Sequence, residues 1–290
     1  MAKKLIINAR INEWMMRAPN RHVPWTADEI AEDAARCREA GAALVHVHAR
    51  NADGSANHSP EAYQDLTGKI RGRSDILIHA TLGNLHVEGD ETRISHVGEA
   101  RPDLATIDIG STNRDVYDGA AHSFTTTDRI YRNSTGSCLF FAQEMARLGV
   151  KPHVACWTVP FLRTLEAFID LGALAEPVVA QMVLSGGGDL SAHPPTPAGL
   201  EAFFHALPDP RRIEWTVCAL DANIFPAAAV AIARGGHVAP GIGDYPYPEL
   251  GYPSNAALVA EIVKLAKAMG REVATPEEAR AMLGMPTRAD

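Results

Sequence analysis

Two histidines lie two residues apart in the segment ALVHVHAR, which covers residues 43–50. The leucine and valines around them favour a short buried strand. In a strand, side chains at positions i and i+2 project from the same face, so His46 and His48 present two imidazoles side by side. Imidazole is a common ligand of zinc and of related divalent metals. The segment therefore predicts half of a metal site, with a pair of hydrogen-bonded core histidines as the alternative.

The rest of the chain alternates extended apolar segments with helical ones, and this unit occurs eight times. Such alternation is typical of a parallel sheet that is covered by helices. Eight units in 290 residues predict an α/β fold of the (β/α)8 TIM barrel type. A doubly wound open sheet is the alternative, but no G-x-G-x-x-G motif opens a helix after the first strand. The strands are expected at residues 5–10, 43–50, 75–83, 104–111, 152–158, 177–185, 213–221 and 237–244.

Capping patterns mark where several of the helices begin and end. Thr26 and Glu29 have the spacing of a capping box, and Gly41 follows that helix as its C-cap. Thr275 and Glu278 form a second capping box before a short helix. A longer connection joins the fourth strand to a helix near residues 136–148. Because no linker interrupts the pattern, we expect residues 1–290 to form a single barrel domain with a short C-terminal helical extension.

Composition excludes several classes of protein. The formal net charge is -8 and no basic cluster is present, which argues against a nucleic-acid partner. No run of 18 apolar residues suggests a membrane span, and the N-terminal residues lack the pattern of a signal peptide. The four cysteines are far apart in apolar surroundings, as expected of reduced core residues. We therefore expect a cytoplasmic protein with no membrane partner.

In a (β/α)8 barrel the active site lies at the C-terminal ends of the strands. Polar residues that reach this end form a convergent set rich in metal-ligand types, which favours the metal interpretation of the histidine pair. They are Arg10, Glu13, His46, His48, Arg50, Thr81, Thr106, Asp108, Asp221 and Asp244. Structural roles stay open: the threonines can bond backbone carbonyls and the aspartates can cap loops. Six other histidines are expected to be structural: His79 is expected in the core, and five are expected at the surface, namely His22, His86, His96, His122 and His205.

Several motifs together resemble one known family. Residues 23–55 read VPWTADEIAEDAARCREAGAALVHVHARNADGS, which is similar to the hallmark of the β-keto acid cleavage enzymes. The resemblance continues through ATIDIGSTN, GVKP, EWTVCAL and ARGGHV, and ends with SNAALVAEIVKLAKAMGREVATPEEARAML. It covers nearly the whole chain, and the combination of motifs is specific.

The resemblance implies a zinc-dependent, usually homo-oligomeric barrel enzyme, with zinc or another divalent metal as its cofactor. Such an enzyme converts a 3-keto acid and acetyl-CoA into acetoacetate and a new acyl-CoA. The family holds its metal with two histidines, matched here by His46 and His48, and with a glutamate. An aspartate, matched by Asp244, removes a proton from the carbon between the carbonyls. Thr106 matches an active-site threonine, and Thr81 falls where the family has a serine.

Some positions depart from the family pattern. The ligand glutamate of the eighth strand is replaced by Gly243 and an arginine by Ala239, and an acidic position on the fifth strand is Ala155. Two histidines alone make an incomplete zinc site, so a carboxylate of Glu13, Asp108 or Asp244 is needed as the third ligand. We expect substrate to bind through four charged residues: Arg10, Glu13, Arg50 and Asp108.

Two other functions remain open for a barrel of this descent. One is metal-assisted hydrolysis, or a lyase reaction on a small keto or carboxylic acid, without CoA. The other is an inactive member that binds a small acid. Retention of both histidines and of Asp244 disfavours the inactive member, because drift would not be expected to keep these residues and lose only their partners.

Overall fold

A computed structural model of the chain describes residues 3–83 and 89–286. In chain order its elements are β1 (Asn8–Arg10), α1 (Ala27–Ala40), β2 (Leu44–Val47), α2 (Pro60–Arg71), β3 (Leu77–Ala80), α3 (Asp90–Ala100), β4 (Leu104–Asp108), β5 (Thr112–Asn113), β6 (Tyr117–Asp118), β7 (Ser123–Phe124), β8 (Ile130–Tyr131), α4 (Thr135–Leu148), β9 (Lys151–Cys156), α5 (Val159–Asp170), β10 (Val178–Ser185), α6 (Pro197–Phe204), β11 (Ile213–Leu220), α7 (Phe225–Ala233), β12 (His237–Val238), α8 (Asn255–Ala268) and α9 (Pro276–Met282).

Eight of these strands form one parallel sheet in the order β1-β2-β3-β4-β9-β10-β11-β12. The first and last strands also meet: Ile7 bridges Val238, and the Arg10 N–H donates to the Pro240 carbonyl at 2.8 Å. These bonds close the sheet into a barrel. The predicted barrel is therefore confirmed, and the open sheet is excluded. The short helix α9 is the expected C-terminal extension.

The helix-capping predictions agree with the structure. Thr26 and Glu29 form a reciprocal capping box at the start of α1, and Thr275 and Glu278 do the same for α9. Gly41 ends α1 with a φ of 116°, a left-handed conformation that a residue with a Cβ adopts only at a cost. Within the described residues, no helix is long and apolar enough to cross a bilayer.

The N-terminal end of the barrel is closed by packed side chains. Apolar residues at the starts of the strands form one cluster with residues of α9 and its flanks: Ile6, Ala43, Leu44, Leu77, Leu104, Val179, Ala274, Ala279 and Leu283. The middle of the barrel is more polar. There the His79 Nε2 lies 2.8 Å from Thr106 Oγ1, and its Nδ1 lies 3.0 Å from Asn8 Nδ2. His79 is thus a buried, hydrogen-bonded core histidine, as expected.

One histidine prediction was wrong. His96 was expected at the surface, but it is fully buried on the inner face of α3, where its ring packs 4.2 Å from that of Tyr63. Its Nε2 lies 2.8 Å from the Thr81 carbonyl, so the imidazole satisfies a backbone group at a strand end. His22, His122 and His205 are exposed as predicted, whereas His86 lies outside the described residues.

An insertion between β4 and α4 forms two small antiparallel pairs that the sequence indicated only as a long connection. Strand β5 pairs with β8, and β6 pairs with β7. Because the insertion leaves the C-terminal end of β4, it lies at the open end of the barrel. It carries Tyr131, whose hydroxyl reaches back to Asp108 on β4.

Two glycines after β12 let the chain pass close to the segment that follows β1. A Cβ on Gly241 would lie 1.8 Å from the Arg10 carbonyl oxygen. A Cβ on Gly243 would lie 2.6 Å from the Asn12 nitrogen and 2.7 Å from the Glu13 nitrogen. All three of these neighbours are main-chain atoms, which cannot move aside as a flexible side chain can. Glycine is therefore required at both positions by close approach.

Replacing Gly243→Ala should destabilise the protein because the new methyl group overlaps the Asn12–Glu13 backbone. We expect the free energy of unfolding in urea to fall by roughly 1–3 kcal/mol. The matched control is Gly68→Ala on the exposed face of α2, where a Cβ meets nothing within 4 Å. That control should be neutral or up to about 1 kcal/mol more stable, since alanine favours helix. Equal stability of the two variants would contradict the close contact.

Candidate active site

Three side chains converge at the C-terminal end of the barrel. His46 lies in β2, His48 follows it, and Glu13 lies in the loop after β1. The His46 Nε2 lies 2.8 Å from Glu13 Oε1, and the His48 Nε2 lies 2.9 Å from Glu13 Oε2. The two Nε2 atoms are 3.2 Å apart, and all three residues are buried. The strand pattern places both imidazoles on one face, as predicted, and the loop brings a carboxylate to them.

The ionisation of this cluster follows from burial and from Arg10. Burial lowers the pKa of His46 to about 4, so its imidazole is neutral at pH 7 and keeps a lone pair for a metal. Burial also opposes ionisation of Glu13, but the Arg10 guanidinium and the two imidazoles together outweigh it and hold the pKa of Glu13 well below its usual range. The cluster therefore presents a carboxylate beside a neutral imidazole.

These three residues fit a divalent metal of the zinc type. Two imidazole nitrogens and one carboxylate are a common set of protein ligands in catalytic zinc sites, which keep a fourth position for water or substrate. In a tetrahedral site with bonds of about 2.0–2.1 Å, ligand atoms lie roughly 3.3 Å apart. The 3.2 Å separation of the two Nε2 atoms is close to that spacing. Among the described residues, this is the one cluster of three whose ligand atoms all lie within 4.8 Å of one another.

The loop that carries Glu13 is held by its neighbours. The Asn12 Oδ1 accepts from the His48 N–H at 3.0 Å, and the Asn12 Nδ2 donates to the His48 carbonyl at 2.8 Å. Arg50 donates to the carbonyls of Asn12 and Glu13, and to that of Gly54 at 3.1 Å. Glu13 itself has a left-handed φ of 33°. Arg50, predicted as a substrate-binding residue, thus also fixes the position of the carboxylate.

Arg10 joins the cluster to Asp244. Its guanidinium forms ion pairs with Glu13 and, through Nε at 2.7 Å, with Asp244 Oδ2. Burial opposes the charge of Arg10, but the carboxylates of Asp244 and Glu13 outweigh it and raise the pKa of Arg10. Burial raises the pKa of Asp244 to about 8, although Arg10 acts in the opposite direction. The Asp244 Oδ1 has no hydrogen-bond partner among the described residues.

Both predicted threonines reach the site. Thr106 Oγ1 lies against the His79 imidazole, and Thr81 Oγ1 accepts from the Gly83 N–H at 2.8 Å. Neither hydroxyl bonds a backbone carbonyl within the described residues, which was their alternative role.

Asp108 accepts hydrogen bonds from two aromatic side chains. The Trp157 Nε1 donates to it at 2.7 Å and the Tyr131 hydroxyl at 2.5 Å. These contacts orient the carboxylate with side-chain donors, rather than with the loop backbone that a capping role would use.

A cavity of 380 Å³ opens in front of these residues. Its wall contains eight of the residues singled out in the sequence: Arg10, Glu13, His46, His48, Arg50, Thr81, Thr106 and Asp108. Asp244 does not line this cavity. It lies behind Arg10, which lines the cavity and forms an ion pair with Asp244. The structure therefore brings the predicted site residues together at one cavity, except that the Arg10 side chain separates Asp244 from it.

The cavity also contains residues that the sequence analysis did not identify. They are Trp14, His58, Arg114, Arg129, Tyr131 and Gln181, together with apolar residues such as Val183 and Leu220. Three of them belong to the insertion after β4. The length of that connection was a signal, because long loops in compact domains are often functional. Nothing in the local sequence distinguishes His58 or Gln181.

Comparison with known proteins identifies the family. Residues 4–285 match the family model described as beta-keto acid cleavage enzyme. The chain belongs to this family. A protein of Acetoanaerobium sticklandii named 3-keto-5-aminohexanoate cleavage enzyme is 33% identical over 287 residues, which are 98% of this chain and 99% of that protein. A protein of the same name from Fusobacterium nucleatum is 31% identical over 289 residues, 98% of this chain and 99% of that protein.

Solved structures agree on the fold. The apo structure of ObcA superposes with a TM-score of 0.71 at 14% sequence identity. The match covers 91% of this chain and 66% of that chain, so this chain spans just under two thirds of its length. At this identity the likeness shows the barrel fold alone. The family resemblance predicted from the sequence motifs is confirmed by the family match, and membership makes the protein an enzyme.

We expect the purified protein to hold about one zinc-like ion per chain through Glu13, His46 and His48. Glu13→Gln and His48→Ala should each lower metal occupancy after dialysis at least tenfold, because each removes one of three ligands. Elemental analysis by mass spectrometry measures the occupancy, and circular dichroism checks that the variants fold. Asp108→Asn, which lies outside the cluster, should keep its metal. Full occupancy in the His46→Ala/His48→Ala double variant would exclude this site.

Proposed function

We propose that the protein is a zinc-dependent acyltransferase that cleaves a carbon–carbon bond. It would convert a 3-keto acid and acetyl-CoA into acetoacetate and a new acyl-CoA. The observation that carries this proposal is the buried Glu13–His46–His48 cluster, which faces the cavity in a chain of this family. Relatives support the use of acetyl-CoA. One of Rhizobium meliloti is named 3-dehydrocarnitine:acetyl-CoA trimethylamine transferase and one of Cupriavidus necator 3-oxoadipate:acetyl-CoA acetyltransferase.

Glu13 answers the main objection to this function. The family's ligand glutamate is Gly243 here, and two histidines alone would leave the metal with too few ligands. Glu13 supplies a carboxylate to the same histidines from the loop after β1, and the backbone of that loop fills the space that a Cβ at residue 243 would need. The site therefore keeps a complete donor set, which disfavours the inactive, acid-binding alternative. A homo-oligomeric state and a cytoplasmic location complete the proposal.

The proposed reaction balances as a condensation followed by a cleavage. A proton leaves the carbon between the two carbonyls of the keto acid, and that carbon bonds to the acetyl carbonyl carbon of acetyl-CoA. The thioester C–S bond breaks and releases the CoA thiolate. The thiolate then attacks the 3-keto carbon, and the adjacent carbon–carbon bond breaks to release acyl-CoA and a carbanion, which takes back the proton to become acetoacetate. Zinc, when bound, would act as a Lewis acid that polarises the keto acid oxygens.

The protein's side chains would bind and orient the substrate during these steps. The Thr106 and Thr81 hydroxyls line the cavity and would donate hydrogen bonds to the oxygen on which charge develops. Arg10 would supply the cation that the family places at residue 239. The Arg10 N–H donates to the carbonyl of Pro240, which follows residue 239 in the chain. Arg10 therefore reaches the same part of the site from β1. Its two ion pairs hold the guanidinium in place before substrate arrives.

We propose that Asp244 removes the proton from the carbon between the two carbonyls. Its raised pKa suits a general base that works near neutral pH, and its Oδ1 is unpartnered within the described residues. Because Arg10 stands between Asp244 and the cavity, Arg10 must shift when substrate binds for Oδ1 to reach the carbon. The competing role as a third metal ligand is disfavoured, because Glu13 and not Asp244 completes the described cluster.

The function is tested with acetyl-CoA and a panel of 3-keto acids. Acetoacetate and a new acyl-CoA should appear in equal amounts, and chelation of the metal or His48→Ala should abolish both. Chromatography with mass detection measures the two products. Turnover of the keto acid in the absence of acetyl-CoA would instead identify the hydrolase or lyase alternative and overturn the proposal.

The role of Asp244 is tested by exchange of the substrate C2 proton with deuterated solvent, followed by NMR. Asp244→Asn should retain its metal and slow the exchange about a hundredfold or more, as expected for loss of a general base. Asp221→Asn is the matched control, since Asp221 is a nearby aspartate that does not line the cavity. Loss of metal from Asp244→Asn would make Asp244 a ligand. Normal exchange in that variant would make it structural.

A further inference from the structure

Two arginines face each other at the mouth of the cavity. In the β5–β8 ladder Thr112 opposes Tyr131 and Asn113 opposes Ile130, and the Arg114 N–H donates to the Arg129 carbonyl at 2.7 Å. The next opposed pair is therefore Arg114 and Arg129, on the same face as Tyr131, and both line the cavity. Like charges directly opposite each other on two strands are destabilising. Such a pair needs a counter-charge.

Arg114 is fixed in place. Its Nε and Nη2 donate to Asp189 Oδ2 at 2.9 and 2.6 Å. Its guanidinium carbon lies 4.6 Å from the ring centres of both Trp14 and Trp157. The side chain is only 11% exposed. A guanidinium held by an ion pair and by stacking binds an oxyanion without first losing its own freedom of movement.

Arg129 has no such partner. Its main-chain N–H donates to Asp115 Oδ1 at 3.1 Å, but its side chain forms no hydrogen bond or ion pair with the described residues. Asp189 neutralises Arg114 only. The exposed guanidinium of Arg129 thus adds a positive charge that is not balanced on this wall of the cavity.

The other charges that line the cavity already have partners. Glu13 contacts the histidines and Arg10, while Asp108 accepts from Trp157 and Tyr131. Arg10 is bonded to two carboxylates, and Arg50 is bonded to main-chain carbonyls. Ala155 contributes no charge. A positively charged group on a substrate would therefore meet no uncommitted carboxylate in the described wall, whereas a negative group would meet Arg114 and Arg129.

We propose that Arg114 and Arg129 form an anion subsite that binds a negatively charged oxygen acid on one of the two substrates. The group is either a second carboxylate at the far end of the 3-keto acid or a phosphate of CoA. A carboxylate is a planar oxyanion and a phosphate is a tetrahedral one, and arginine binds either through paired N–H donors. This inference rests on the proposed function, which identifies the two substrates. It adds that one of them presents a negatively charged group to Arg114 and Arg129.

The experiment measures binding by titration calorimetry under conditions without turnover, using one substrate at a time. Each probe has a partner without the anionic group in question: 3-oxohexanoate keeps the C1 carboxylate of 3-oxoadipate but lacks the second one, and acetyl-pantetheine lacks the phosphorylated nucleotide of acetyl-CoA. Arg129→Ala should weaken binding of 3-oxoadipate or of acetyl-CoA about ten- to a hundredfold and leave the affinity for the partner that lacks the anionic group unchanged. The effect should shrink at high salt, because the ion pair is partly exposed.

Arg132→Ala is the matched control. Arg132 lies three residues further along the same segment, is exposed, and falls on the opposite face of β8 from Arg129 and Tyr131. It removes the same charge from the same insertion and should leave all four affinities unchanged. Arg114→Gln is a second variant, which keeps a polar side chain between the two indoles while removing the charge.

The outcomes separate the two sources of the anion. A loss confined to 3-oxoadipate assigns the subsite to a dicarboxylic keto acid, and a loss confined to acetyl-CoA assigns it to a phosphate. Unchanged affinities for both charged probes in Arg129→Ala and Arg114→Gln would overturn the inference. Because binding is measured without turnover, a protein that binds a charged probe but makes no acetoacetate would refute the proposed function and not the subsite.

Discussion

The site depends on a backbone contact at the seam where the barrel closes. The segment after β1 and the segment after β12 pass so close that a Cβ at residue 243 would overlap the Asn12–Glu13 backbone. A side chain at residue 243 and the observed position of Glu13 therefore exclude each other. Glycine at residue 243 leaves room for the loop after β1, and the carboxylate beside His46 and His48 comes from Glu13 in that loop.

The same seam holds three buried ionisable side chains in contact with one another. Arg10 bonds both Glu13 and Asp244, and all three are nearly inaccessible to water. A buried charge without its partner costs about 3–5 kcal/mol, whereas a charge that is shared correctly costs much less. Arg10 favours the ionised form of Glu13, which is the form that binds a metal. Arg10 also contacts Asp244, whose pKa is raised by burial. The arginine, the ligand and the aspartate thus form one unit.

Repeating patterns made the fold and half of the site predictable. Strand alternation predicted the barrel, and the i, i+2 rule placed His46 and His48 on one face. Glu13 was named as a possible ligand but grouped with substrate-binding residues, because a left-handed turn and a contact with residue 243 cannot be deduced from local sequence. Asp244 was expected at the cavity wall, yet Arg10 covers it. His96 was assigned to the surface because it lies in a helix and not in a strand, and the local sequence does not show that this helix turns the imidazole toward Tyr63.

The residues proposed to take part in the reaction and those of the cavity mouth are held by different parts of the molecule. His46, Thr106 and Asp108 lie on barrel strands whose neighbours fix them by ladder hydrogen bonds. The mouth is formed partly by the insertion after β4, which contacts the barrel through side chains such as Tyr131, bonded to Asp108, and Arg114, bonded to Asp189. Loops of this kind change with little effect on the strands beneath them. The motifs that define the family lie mostly on and beside the strands. They therefore specify the type of reaction more closely than the group at the far end of the substrate, and the charge of that group must be determined from the insertion itself.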